Sequence, residues 1–314
     1  MTVPLLHAAY TGKISMFSTV HGAMRDKLRV QQMKRVMSAR DLRCRSILTM
    51  AVLSKNTNMV RASLAALEEH LAKHEVKELL MAGSKDDGNV LIWAAASGRR
   101  DVFIATVVAL RNRLTASEVK GLMMYEGSDG SIYKSILTAA AASGDKDTWE
   151  AVLAELEKGA VEVNKYMAIA DRDYHDSKRT VVHRAVQSGS TGTFTAVLNA
   201  LDYLTPEERN DMVVAGPTNL LHTAAESGSE DMFEAVLAAL RCRRGFEPRK
   251  VTEMLFSYAR FGRSALYFAA ESGSAAMFEA VLGTMAAVDG GKVKSRLMPS
   301  FEDGDEVVAS VLHA

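Results

Sequence analysis

The sequence predicts an all-α chain, a helical-repeat solenoid forming a single domain over residues 1–314. Three observations lead there. One pattern recurs seven times at steps of 43, 43, 46, 45, 39 and 45 residues, and a period in this range marks a solenoid. Every copy carries alanine at the same position. Aromatic residues make up only 6% of the chain and prolines number five, a composition that suits close-packed helices more than a β-sandwich.

The copies begin at Pro4, Ile47, Val90, Ile136, Val181, Leu220 and Ala265. Each has a leading apolar residue: Leu5, Leu48, Leu91, Leu137, Val182, Leu221 and Leu266. Three residues on stand Ala8, Ala51, Ala94, Ala140, Ala185, Ala224 and Ala269. That spacing puts both on one helical face, where alanine lets two helices approach closely. A Ser or Thr then precedes Gly12, Lys55, Gly98, Gly144, Gly189, Gly228 or Gly273. Glycine supplies the left-handed conformation that ends a helix, so a short first helix stops here. Lys55 departs from this, and the second turn is expected to be strained or differently shaped.

A second helix follows, with Asn56, Asp145, Ser190, Ser229 and Ser274 as N-caps. Five residues past each turn lies Phe17, Val60, Phe103, Trp149, Phe194, Phe233 or Phe278, then an aliphatic pair such as Val236 and Leu237. This is the buried stripe of an amphipathic helix. A further amphipathic stretch appears at 74–81, 118–125, 206–214, 248–259 and 292–298. Thr205-Pro206-Glu207-Glu208 is a good helix start. A short third helix per repeat is therefore expected.

These features resemble the ankyrin repeat. Gly262-Arg-Ser-Ala-Leu266-Tyr-Phe-Ala269-Ala270-Glu-Ser-Gly273 follows that family's first-helix register, with Ser264 for Thr and Tyr267 for His. Leu221-His222-Thr223-Ala224-Ala225 keeps the histidine, and Met232-Phe233-Glu-Ala-Val236-Leu237 matches the second helix. The resemblance implies that His183 and His222 serve the scaffold, and that the residue after the paired small residues looks onto a concave groove. Ankyrin repeats are about 33 residues long and join by a β-hairpin. Here the extra helix is expected in place of, or ahead of, that hairpin; three helices in roughly 43 residues also fit armadillo-like repeats. Val311-Leu312-His313-Ala314 opens an eighth copy (308–314) and then stops. The array is thus expected to be cut from a longer one or to have its ends covered by a partner.

No catalytic constellation emerges, and no cofactor, metal or small-molecule substrate is expected. His70 and His74 are one helical turn apart beside Glu69 and Glu75, but Leu71 stands where a zincin motif needs glutamate. Asp171, Asp173 and Asp176 lack the glycine and final glutamate of a calcium loop. Gly290-Gly291-Lys292 lacks the upstream glycine and the Ser/Thr of a phosphate loop. Cys44 and Cys242 lie more than four repeats apart, so reduced thiols are expected. No signal peptide or membrane-length apolar run is visible, which points to a cytoplasmic or nuclear setting without membrane partners.

Recognition remains. Net charge is zero, yet residues 1–61 hold 11 Lys+Arg against 2 Asp+Glu. Arg25, Lys27, Arg29, Lys34, Arg35, Arg40, Arg43 and Arg45 crowd one segment, suited to an acidic protein or to phosphates, or else forming a solvated helix face. No Phe, Tyr or Trp for base stacking occurs in residues 18–92. The position after the small pair varies most between repeats: Tyr10, Leu53, Ala96, Ala142, Gln187, Glu226 and Glu271. The position two after the leading residue also varies, with Trp93 and Phe268 as candidate anchors or as side chains packed against the neighbouring repeat. The reading is a non-enzymatic protein-interaction scaffold that binds through its concave surface. Tyr10, Leu53, Trp93, Gln187, Glu226, Glu271, Arg35, Arg40 and Arg43 are its candidate contacts. A nucleic-acid-binding solenoid using residues 25–45, or the interaction module of a larger enzyme, is the alternative.

Phe233→Ala is expected to damage stability, because loss of a large side chain from a packed helical stripe costs about 3–5 kcal/mol. Thermal unfolding checks it; a variant that melts like the parent would place the stripe in solvent.

Overall fold

A computed structural model describes residues 4–83, 88–127, 133, 135–159, 161, 163, 167, 171–172, 178–214, 218–242 and 248–297. The chain divides into two compact units, Met1–Arg172 and Asp173–Ala314. Each is an array of stacked helix pairs.

The first unit holds four pairs: α1 (Pro4–Thr11) with α2 (Ile14–Lys27), α4 (Ile47–Leu53) with α5 (Thr57–His70), α7 (Val90–Ala96) with α8 (Arg100–Arg111), and α10 (Ile136–Ala142) with α11 (Lys146–Lys158). Between pairs come α3 (Val30–Met37), α6 (Lys73–Met81) and α9 (Ala116–Met123). The second unit holds α12 (Val181–Gln187) with α13 (Thr191–Ala200), α15 (Leu220–Glu226) with α16 (Glu230–Cys242), and α18 (Ala265–Glu271) with α19 (Ala275–Leu297). Its third helices are α14 (Pro206–Val214) and α17 (Pro248–Phe256). Strand is confined, among the described residues, to Asp171–Arg172 and Lys178–Arg179.

First helices stack on first helices, α1 on α4 on α7 on α10, and α12 on α15 on α18. The seven alanines at their centre have no solvent exposure at all. Each of those alanines also gives its carbonyl to the hydroxyl of the Ser or Thr three residues later, at 2.6–2.8 Å. The hydroxyl thus helps to satisfy a carbonyl in the last turn of the helix, where the regular amide partners run out. The glycine that follows lies at φ 63–73° in all six repeats that have it. A Cβ at Gly12 would come within 3.3 Å of the Ser54 side chain, and one at Gly98 equally close to the Ser143 carbonyl. Glycine therefore serves the left-handed turn and the close approach of the next turn together.

Second helices stack likewise, and their expected N-caps hold. Asn56, Asp145, Ser190, Ser229 and Ser274 each accept a bond from a backbone amide of the first turn. Phe17, Val60, Phe103, Trp149, Phe194 and Phe233 are buried, while Phe278 in the last described pair is half-buried.

The third helices appear where the pattern placed them, with one addition. The stretch expected from residue 292 lies in a helical segment, 290–297, set apart from the rest of α19 by the non-helical Asp289. The basic segment contains a helix of its own, α3, which lays the buried Met33 and Met37 toward α5. The expected helix start at Thr205 holds, and Thr205 and Glu208 cap α14 reciprocally. A recurring tie positions these helices. Asn89, which caps α7 through its side-chain oxygen, donates its Nδ2 to the Leu122 carbonyl of α9 at 2.7 Å. Asn219 does the same from α15 to Met254 of α17 at 2.8 Å, and the Thr180 hydroxyl bonds Met212 of α14 at 2.9 Å. One side chain thus joins the start of the first helix to the end of the third.

Polar pairs one repeat apart fasten neighbouring layers: Thr57 to Asp101, Arg113 to Glu68, Arg111 to Glu155 and Lys34 to Glu75. The Lys77 ammonium and the Thr115 amide hold the Glu118 carboxyl down to about 2. The expected eighth copy at 308–314 lies outside the described residues.

Lys55 sits at φ 57°, so its turn has the shape of the others in a conformation that costs a side-chain-bearing residue about 1–2 kcal/mol. Lys55→Gly is expected to raise stability, by about 0.5–1 kcal/mol once the greater freedom of glycine in the unfolded chain is subtracted. Chemical denaturation checks it; a less stable variant would mean Lys55 makes a compensating contact.

Candidate interaction surface

The buried face of each first helix carries the leading apolar residue and the alanine. The residue five after the leading one is turned away from that face by the 100° step of the helix. Tyr10 is 51% exposed, Gln187 and Glu271 are exposed, and Leu53, Ala96, Ala142 and Glu226 are partly so. All seven members of this column thus reach solvent while the alanines two residues before them do not. In the first unit the column is aromatic or aliphatic; in the second it is amide and carboxylate. Glu226 lies 3.0 Å from the Arg179 guanidinium, whose side chain is only 8% exposed, and Glu271 lies 3.5 Å from Arg263. Glu226 therefore neutralises a buried cation as well as facing solvent.

The second variable column is mixed. Trp93 is half-buried and meets the edge of Tyr133 at 6.3 Å. Of the two readings of Phe268, exposed anchor or packing against the neighbouring repeat, the second holds: it is buried beside His222 at 5.5 Å between ring centres. It is core, because the neighbouring first helix supplies an aromatic ring at the matching height.

The basic segment folds into α3 and a tight turn. Arg35, Arg40 and Arg43 are exposed and make no ion pair among the described residues, whereas Lys34 pairs with Glu75 and Arg45 with Asp41. Asp41 organises the turn. Its Oδ1 accepts the amides of Arg43 and Arg45, and its Oδ2 accepts the Arg45 Nε–H at 2.7 Å. Burial opposes the charged carboxylate, but the bonds from Arg45 and Arg43 outweigh it and hold the carboxyl below its usual range. The turn leaves Leu42 97% exposed between arginines, and Val30 is exposed on α3. Neither was legible in the sequence, since a lone leucine in a basic run has no periodic partner to show which way it faces. Cys44, also in this turn, is exposed; the side chain of Cys242 lies outside the described residues.

The sequence-level metal and phosphate candidates resolve separately. His70 closes α5, and His74 is exposed on α6 beyond the break at Leu71 and Ala72, so the two never share a helical face. His70 instead meets His21 of α2, a pairing across 49 residues that spacing along one helix could not reveal. Asp173 and Asp176 lie outside the described residues. Gly290 to Lys292 are helical, which is not the loop a phosphate needs.

His183 and His222 are fully buried on the first helices of the second unit. The His183 Nδ1 pairs with the Thr180 hydroxyl at 2.9 Å, and the His222 Nε2–H donates to the Ser257 carbonyl at 3.2 Å. Both act within the scaffold. Burial lowers the first to about 3 and the second to about 4.

No family model and no curated protein matches the chain. Among solved structures it is similar to the human ASB11 ankyrin repeat domain, at 16% identity and TM-score 0.47, over 89% of this chain and 96% of that one. It is also similar to a chain in the complex of the Bd0816 predatory endopeptidase from Bdellovibrio bacteriovorus with immunity protein Bd3460, at 14% identity and TM-score 0.36, over 88% of this chain and 95% of that one. At these values the ankyrin-like reading stands on the chain's own features: short first helix, alanine stack, left-handed turn and capped second helix. Among the described residues no helix is long and apolar enough to cross a membrane.

The buried histidines make stability depend on pH. Their folded values lie below the ordinary 6.5, so the unfolded chain takes up the protons. Stability is complete above about pH 6.5 and falls as pH drops toward 4, by about 1.4 kcal/mol per unit for each histidine. Denaturation of the parent and His222→Gln at pH 7 and pH 5 checks it. The parent should lose about 2 kcal/mol more than the variant; equal losses would mean His222 is not held neutral.

Proposed function

We infer that this chain is a non-enzymatic scaffold that recognises a protein partner through the variable column of its first helices. One observation carries the reading. The leading apolar residue and the alanine, held constant between repeats, are buried in every copy, and the position that changes most, from Tyr10 to Glu271, is at least partly exposed in every repeat. A backbone already fixed in packed helices has little freedom left to lose on binding, which lowers the entropic cost of association. The column differs in chemistry along the chain, with aromatic and aliphatic groups at Tyr10 and Leu53 and amide or acidic groups at Gln187, Glu226 and Glu271. In the first unit the column fits a partner surface that offers apolar groups, and in the second one that offers basic groups.

A second reading draws on Arg35, Arg40 and Arg43 around Leu42, exposed and without an ion pair among the described residues. An apolar tip among arginines, in a segment without aromatic rings, favours an acidic protein surface over single-stranded nucleic acid.

Photo-crosslinking residues at Tyr10, Gln187 and Glu271 are expected to capture one common protein in cells, and the same residue at the exposed second-helix positions Glu150 and Glu234 is not. Capture only from Arg35, Arg40 or Arg43 would move recognition to the basic turn; capture from neither set would end the scaffold reading. Against the captured protein, Glu271→Lys should slow association in a salt-dependent way. Its own melting should stay within about 0.5 kcal/mol of the parent, as is usual for surface changes.

A further inference from the structure

The geometry points to a binding site for one zinc-class divalent ion where α2 meets α5, built from His21, Glu69 and His70. The two imidazoles come from successive repeats and face each other with Nε2 atoms 2.9 Å apart. Glu69 Oε2 lies 4.0 Å from the His21 Nε2, and its Oε1 lies 3.7 Å from that of His70. One ligand atom from each residue falls within 4.8 Å of the other two. His21 and His70 side chains are 13% and 14% exposed, Glu69 44%, so two ligands are sheltered and the third sits at the mouth.

The chemistry follows from the donor set. Two neutral imidazoles at this distance share one Nε2–H, one ring donating and the other accepting. An ion between them takes both lone pairs while the shared proton moves to Nδ1 of its own ring. Tetrahedral bonds of about 2.0–2.1 Å put the nitrogens about 3.3 Å apart, a separation of a few tenths of an ångström from the present contact. The carboxylate closes in by a side-chain rotation. It now lies 3.5 Å from the Arg25 guanidinium, the cation that the ion would replace. Two imidazoles and one carboxylate select zinc and late first-row ions over calcium or magnesium, which favour all-oxygen sites. Three protein ligands leave a fourth position for water at the exposed side.

The scaffold holds the site in place. The Phe17 ring stacks on His21, with centres 6.1 Å apart and planes 7° from parallel. His70 is the last residue of α5, where the partial negative charge of a helix end favours a cation. A bound ion would tie the first repeat to the second across 49 residues. This binding is independent of the scaffold function inferred above, because none of the three ligands belongs to the variable column or the basic turn.

The test is zinc titration of the full chain against a chromogenic chelator, with thermal unfolding at each step. One ion per chain and a raised melting temperature are expected. His21→Gln and His70→Gln should each weaken binding by a hundredfold or more, while His74→Gln leaves it unchanged. Circular dichroism confirms that each variant folds. In the unaltered chain, zinc should protect His21 and His70, and not His74, from diethyl pyrocarbonate as read by peptide mass spectrometry. No saturable binding, affinity retained in folded His21→Gln and His70→Gln, or protection that spares these two histidines would each overturn the site.

Discussion

A methyl group sets the architecture. In each repeat the alanine three residues after the leading position is fully buried where one first helix lies on the next. A larger side chain there would push the helices apart, and a well-packed interior tolerates even one extra methylene poorly. The same alanine gives its carbonyl to the Ser or Thr hydroxyl before the turn, so packing and helix termination meet in one residue. The left-handed turn then reverses the chain and delivers the aromatic stripe of the second helix to the opposite side of the same core.

The freedom of the surface follows from that economy. With the leading residue, the alanine, the hydroxyl and the turn all committed to packing, the column from Tyr10 to Glu271 is where sequence can change without disturbing the stack. The commitment is not complete. Glu226 is shared between solvent and the buried Arg179, and Phe268 belongs to the core through its contact with His222. The basic turn is ordered by a different device, a single carboxylate. Asp41 gathers the amides of Arg43 and Arg45 and so holds Leu42 away from the body of the protein.

The third helix is the main departure from an ordinary ankyrin-like repeat, and its placement has an identifiable cause. A residue that must cap the first helix can also donate, and Asn89 and Asn219 use their amide nitrogens to hold the last turn of the third helix. In the fifth repeat Thr180 makes the bond to the third helix with its hydroxyl. Nothing about Asn or Thr ahead of an apolar run signals this second role, because the acceptor lies 32–35 residues further on.

What the amino-acid sequence determines by itself is everything that repeats. Alanine, glycine and the aromatic position are each imposed by local geometry that recurs seven times, so comparing the copies exposes them, and even the odd Lys55 is legible as a departure. The caps at Asn56, Asp145, Ser190, Ser229 and Ser274 are local too, reading only the next three amides. Features that occur once, between layers, were decided by tertiary structure alone. His70 pairs with His21 and not with His74 because α5 ends between the two residues of the sequence motif, and because stacking brings α2 alongside. The outward leucine at 42, the inward phenylalanine at 268 and the double role of Glu226 have the same origin. Periodicity specifies which face of a helix is buried, but only the neighbouring layer specifies what each side chain meets.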